Sequence, residues 1–92
     1  MEGKQVEEVK QILTDWNPLG ERSIRILDLD NYETEAIDIL FHLDKKSSVD
    51  YVNKIMTEVL YQAFDINLKL EDTKKYATMI RKTFNRNKNT TA

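Results

Sequence analysis

Between Val49 and Phe64 the apolar residues Val49, Val52, Ile55, Met56, Val59, Leu60, Ala63 and Phe64 recur at steps of three and four, the spacing of one stripe on an α-helix. A stripe that long has to be covered. In a chain of 92 residues the cover comes from a few further helices around one core, since a domain of this size buries only about 60 to 65% of its unfolded surface.

Three other segments carry the same period. Val6, Val9, Ile12, Leu13 and Trp16 predict a first helix over about 4–16. Ile37, Leu40 and Phe41, with Ala36 and Leu43, predict a second over about 34–44, following Glu33 and Glu35, whose charge suits a helix N-terminus. Ser47 followed by Asp50 resembles a capping box opening the third. Thr73, Tyr76, Ala77, Ile80 and Phe84 predict a fourth over about 71–85, with Glu71 and Asp72 in its first turn and Arg81, Lys82 and Arg86 near its end. The expected fold is all-α, a compact four-helix domain with a long ordered loop between helices 1 and 2, the third helix being packed by the other three.

The chain has only two glycines and one proline, and two of these three fall together. Pro18 disfavours a helical Asn17 and donates no backbone hydrogen bond, and Gly20 takes positive φ without strain, so the chain is expected to turn at Asn17-Pro18-Leu19-Gly20. Beyond it Ile24, Ile26 and Leu29 alternate with polar residues, as do Ile66, Leu68 and Leu70. A two-stranded ribbon between 21–32 and 66–70 is one reading; an ordered loop is preferred, because an isolated pair of strands is marginal. Residues 1–85 are read as the domain and the polar stretch 86–92 as a disordered tail.

The absence of cysteine removes disulfides, thiolate nucleophiles and thiolate-ligated metals. Charged residues interrupt the first twenty positions, and no apolar run approaches the roughly 18 residues of a bilayer span, so a cytoplasmic protein without membrane association is expected. No cofactor or metal is expected. From Lys69 onward seven basic residues stand against two acidic ones, a balance of +5, which leaves −7 on the rest of a chain of net charge −2. That polarity suits a monomer or a homodimer in which opposite ends meet.

The run Ile12-Leu13-Thr14-Asp15-Trp16-Asn17-Pro18-Leu19-Gly20, followed by Asp30-Asn31-Tyr32-Glu33 and a helix with Ile37, Ile39 and Leu40, resembles the YugE-like family of small bacterial proteins of unknown function. In that family a Trp-Asp-Pro-hydrophobic-Gly turn follows the first helix, and an acidic loop with a tyrosine leads into the second. Asn17 stands where the family often has aspartate. The resemblance implies a compact helical fold and a bacterial, cytoplasmic origin, and it implies no mechanism.

Two regions invite a binding role. Trp16 either roofs the core or, with Leu19 and Tyr32, lines a small groove for a partner. The acids Asp28, Asp30, Glu33, Glu35 and Asp38 fail as a calcium loop: counted from Asp28, Glu33 stands where glycine is needed and Ile39 where the bidentate glutamate belongs. They suit a solvated face or the steering of a basic partner. His42 lies four residues after Asp38, a spacing that permits a surface pair.

The sequence thus reads as a protein-interaction module of inhibitor or immunity type for an unidentified protein partner. Its contact residues are expected to be Trp16, Leu19, Asp28, Asp30, Tyr32, Glu33 and Glu35. The alternatives are a nucleic-acid accessory protein using the basic C-terminal helix, disfavoured by the acidic net charge, and an unrecognised enzyme, disfavoured by the lack of a catalytic motif.

Overall fold

A computed structural model of the chain describes residues 3–26 and 29–88. It is all-α. Helices α1 (Gly3–Trp16), α2 (Glu33–Phe41), α3 (Val49–Phe64) and α4 (Leu70–Lys88) are joined by turns, with two short 3₁₀ segments, η1 (Gly20–Arg25) and η2 (Asp30–Tyr32), between α1 and α2. No strand forms among the described residues. Ile24 falls inside η1 and is 82% exposed and Leu70 opens α4 at 52% exposure, whereas Ile26 and Leu29 of the first segment and Ile66 and Leu68 of the second pack on the core. α4 continues through Lys88, past the position where its apolar period ends, and residues 89–92 of the expected tail lie outside the described residues.

The helices pack as a cycle: α1 on α2 and α4, and α3 on α2 and α4. The backbones of α1 and α3 do not approach closely, as those of the other neighbouring pairs do, and the two helices contribute to one core. Between them Val9, Leu13, Ala36, Ile39, Val52, Met56, Leu60, Ala77 and Ile80 are sealed from solvent. Each large aliphatic among them contributes about 1.5 to 3 kcal/mol of transfer free energy.

Two polar clasps cross this core, and helical periodicity alone assigns neither. Gln5 of α1 donates through Nε2 to Thr83 Oγ1 at 3.1 Å, and that hydroxyl donates to the Ile80 carbonyl. Asn53 of α3 donates through Nδ2 to the Leu70 carbonyl at 2.8 Å and accepts the Thr73 hydroxyl at 2.6 Å. Each satisfies groups whose burial without a partner is costly.

Three expectations are corrected. Ser48, not Ser47, caps α3, its Oγ accepting the Tyr51 N–H, while Ser47 Oγ accepts the Asp44 N–H in the preceding turn. In α2 the buried apolar residues are Ala36, Ile39 and Leu40, and Ile37 and Phe41 face outward at 42% and 75% exposure. This nine-residue helix turns one side to its neighbours, and Ile37 and Phe41 fall beyond its edge. His42 sets its ring edge-on to Phe41 at 5.3 Å rather than hydrogen-bonding Asp38.

Candidate binding cleft

α1 stops at Trp16 because Asn17 turns left-handed, φ 51°, with its N–H closing onto the Leu13 carbonyl at 2.7 Å. Asparagine tolerates this conformation better than most residues with a side chain. The turn then closes from Gly20 N–H to the Asn17 carbonyl at 2.9 Å, Gly20 itself having φ 59°, and Asn17 Nδ2 reaches the Gly20 carbonyl. Leu19 is thereby driven into the core at 5% exposure.

The returning arm of the loop makes a sharper bend. Asn31 (φ 55°) and Tyr32 (φ 66°) are consecutive left-handed residues, and for a side chain as bulky as tyrosine that is an outlier. The bend sends Tyr32 inward to 2% exposure, its ring edge-on to Phe64 of α3 at 6.1 Å. Its hydroxyl donates to Asn17 Oδ1 at 2.6 Å and accepts the Leu19 N–H at 3.3 Å. Thr14 Oγ1 donates to the Asn31 carbonyl at 3.2 Å. Burial pushes the Tyr32 phenol above its ordinary value of 10.0; the Leu19 hydrogen bond draws it partly back, and the Glu35 charge adds to the rise. The phenol is a neutral donor at physiological pH.

Beside this clasp opens a cleft of about 400 Å³, within the size range of ligand sites. Ile24, Ile26 and Leu29 form its aliphatic side, Thr14, Asn17, Ser23 and Asn31 its polar side, and Tyr32 its inner end. Every described lining side chain is neutral. The Ser23 hydroxyl donates to the Gly20 carbonyl at 2.8 Å. The chemistry on offer is that of binding an apolar group with a few neutral hydrogen bonds.

The residues expected at a partner surface are dispersed. Tyr32 lines the cleft and Leu19 lies behind it in the core. Trp16 packs on the core, as its roofing alternative expects, stacked on Tyr76 of α4 with centroids 4.3 Å apart and planes 12° from parallel, while Lys75 Nζ lies 5.0 Å from the Tyr76 ring. Glu33 accepts Lys10 Nζ at 3.2 Å, joining α2 to α1. Glu35 is buried. Asp30 opens η2 and is described by its backbone alone, and Asp28 lies outside the described residues. Thr14, Asn17, Ser23, Ile24, Ile26, Leu29 and Asn31 line the cleft without any mark in the sequence that groups them as a groove. Two asparagines beside the turn-forming residues were the available signal, since asparagine favours left-handed positions.

Among the described residues no three His, Asp or Glu side chains gather as a metal site, and no helix is long and apolar enough to cross a membrane. Comparison with curated proteins and with solved structures returns no match. A family model does match over residues 8–85, and it names no YugE-like family. The match takes in the Trp16–Gly20 turn, both 3₁₀ segments and α2, α3 and most of α4, so the chain belongs to the family described as a domain of unknown function, DUF1871.

Proposed function

We propose that the protein is a non-enzymatic protein-interaction module whose cleft receives an apolar side chain from an unidentified protein partner. The observation that carries this reading is Ile24, 82% exposed at the rim of a neutral cleft beside Ile26 and Leu29. A large aliphatic side chain held in water next to a concave surface gains by being covered. The polarised charge supports an inhibitor or immunity-type role, in which acidic groups steer a basic partner toward the site. Asp28 and Asp30 belong to this steering set, while Leu19 anchors the turn in the core and Glu33 ties α2 to α1 through Lys10. The Trp16–Gly20 turn supports kinship with YugE-like proteins, and with it a bacterial, cytoplasmic setting for a monomer or homodimer.

The test is affinity capture from bacterial lysate after nuclease treatment, with wild type and Ile24→Glu in parallel. A stoichiometric protein held by wild type and lost by the variant is the expected result. A partner held equally by both moves the interface away from the cleft. Recovery that vanishes with nuclease makes the basic α4 the binding surface instead.

A further inference from the structure

We propose that the connection 66–68 is an unpaired strand edge that takes a basic, extended segment of a partner protein, with one lysine or arginine side chain of that segment seated in the pocket beside Glu58. This site is separate from the cleft at Tyr32 and does not depend on it.

α3 ends where Asp65 turns left-handed, φ 56°, and α4 begins at Leu70. Between them burial alternates: Ile66 and Leu68 are half-buried and pack on the core, while Asp65, Asn67 and Lys69 are exposed. A period of two is that of an extended chain. The alternation that suggests a strand in the sequence is thus realised without a second strand beside it. No main-chain N–H or C=O of Ile66, Asn67 or Leu68 is hydrogen-bonded to the backbone or to a side chain among the described residues. On either side the main chain is engaged, the Phe64 carbonyl by Arg22 Nη2, the Lys69 carbonyl by the Asp72 N–H and the Leu70 carbonyl by Asn53 Nδ2. An extended run with unpaired main-chain groups is a template for a strand from another chain.

This run forms one wall of a pocket of about 180 Å³, and Glu58, Tyr61 and Gln62 of α3 stand on the other. Small-molecule sites begin at roughly 300 Å³, so the space is that of a single side chain. Glu58 is the one charged residue of the described lining, and it has no ion-pair partner among the described residues, Lys54 one turn before it included. Tyr61 beside it is 52% exposed. A carboxylate and an aromatic ring together favour an ammonium or guanidinium group over a neutral or acidic one. Ile66 and Leu68, in the same lining, suit the aliphatic stem that carries such a group.

The probe is a blocked pentapeptide, Val-Thr-Lys-Thr-Val, titrated into the isotope-labelled whole protein and followed by amide chemical shifts and hydrogen exchange, with Val-Thr-Glu-Thr-Val as its control. In the free protein the amides of Ile66, Asn67 and Leu68 are expected to exchange as fast as those of an unfolded chain. The lysine peptide is expected to slow alternate amides, either Ile66 with Leu68 or Asn67 alone, because successive residues of an extended chain turn their main-chain groups to opposite edges. It is expected to bind about tenfold more tightly than the glutamate peptide, and Glu58→Gln, a change at an exposed position, should remove most of that preference while the melting temperature stays the same. No shift at 66–68 with either peptide at several millimolar makes the segment a solvated connection and overturns the proposal. Equal slowing of all three amides, or a lysine preference that survives Glu58→Gln, also overturns it. Slowing of alternate amides in the protein alone that grows with its concentration would make the occupant a second copy and overturn the foreign partner.

Discussion

The Tyr32 hydroxyl donates to Oδ1 of Asn17 across 2.6 Å, tying the residue that ends α1 to the one that precedes α2. Both are left-handed. The bond thus links two backbone positions that each need an unusual conformation, and it accounts for an asparagine where a backbone turn alone is served by glycine.

Replacing Asn17 separates its two duties. Asn17→Gly keeps the left-handed turn and removes the acceptor, and is expected to cost about 1 kcal/mol. Asn17→Ala loses the acceptor and strains the backbone as well, and is expected to cost about 2 to 3 kcal/mol. Urea unfolding followed by circular dichroism at pH 7 measures both. Equal costs would show that the conformation places no demand on the residue.

Tyr32 also predicts an alkaline limit. Its phenol is raised above 10.0 in the folded protein, so between its unfolded and folded values the folded chain holds a proton that the unfolded chain has lost. Stability from this group is complete below about pH 10 and declines as pH rises through the folded value. Unfolding free energies measured from pH 8 to 11 should fall more steeply for wild type than for Tyr32→Phe. Parallel curves would mean that the phenol titrates normally.

Asn53 should be among the costliest polar residues to remove. Asn53→Ala leaves the Leu70 carbonyl and the Thr73 hydroxyl without their partner and opens a void between α3 and α4, for an expected loss of about 3 kcal/mol. Thr73→Val, which removes one hydrogen bond and little volume, should cost less. Chemical denaturation of the two variants side by side gives the order.

Trp16 is the single tryptophan, so intrinsic fluorescence reads its stack on Tyr76. Tyr76→Ala should shift the emission to the red as the indole gains water, and lower stability by about 2 kcal/mol. An unchanged emission maximum would place the indole elsewhere.

The two adjacent serines give a finer test of local structure. Ser48→Ala should cost about 1 kcal/mol as the loss of an N-cap, and Ser47→Ala, which affects the turn at Asp44, should cost less. Thermal melts of both variants compare them, and the reverse order would restore the capping box opened by Ser47.

Legibility in the sequence follows the range over which each feature acts. The four helices and the Asn17–Gly20 turn could be read because apolar period, proline and glycine act within a few residues. The sequence offers two places for Trp16, a roof on the core or a groove with Leu19 and Tyr32, and the residue packs on the core. A cleft does lie at that turn with Tyr32 at its inner end, but Trp16 went to Tyr76 and Leu19 to the core. Nothing near Trp16 in the chain announces a tyrosine sixty positions away.

What the sequence by itself determined is the set of helices, their approximate ends and the polarity of charge along the chain, since each depends on spacing, backbone preference and composition. Tertiary structure decided which edge of each apolar stripe is covered, leaving Ile37 and Phe41 outside and Ile39 inside. It also decided which polar residues enter the core, as Gln5, Asn53, Thr73 and Thr83 do in complementary pairs. And it decided that Tyr32 turns inward against its backbone preference. The physical reason is common to all three: a helix period defines a direction, but burial and hydrogen bonding are settled by what another element, distant in sequence, presents on the other side.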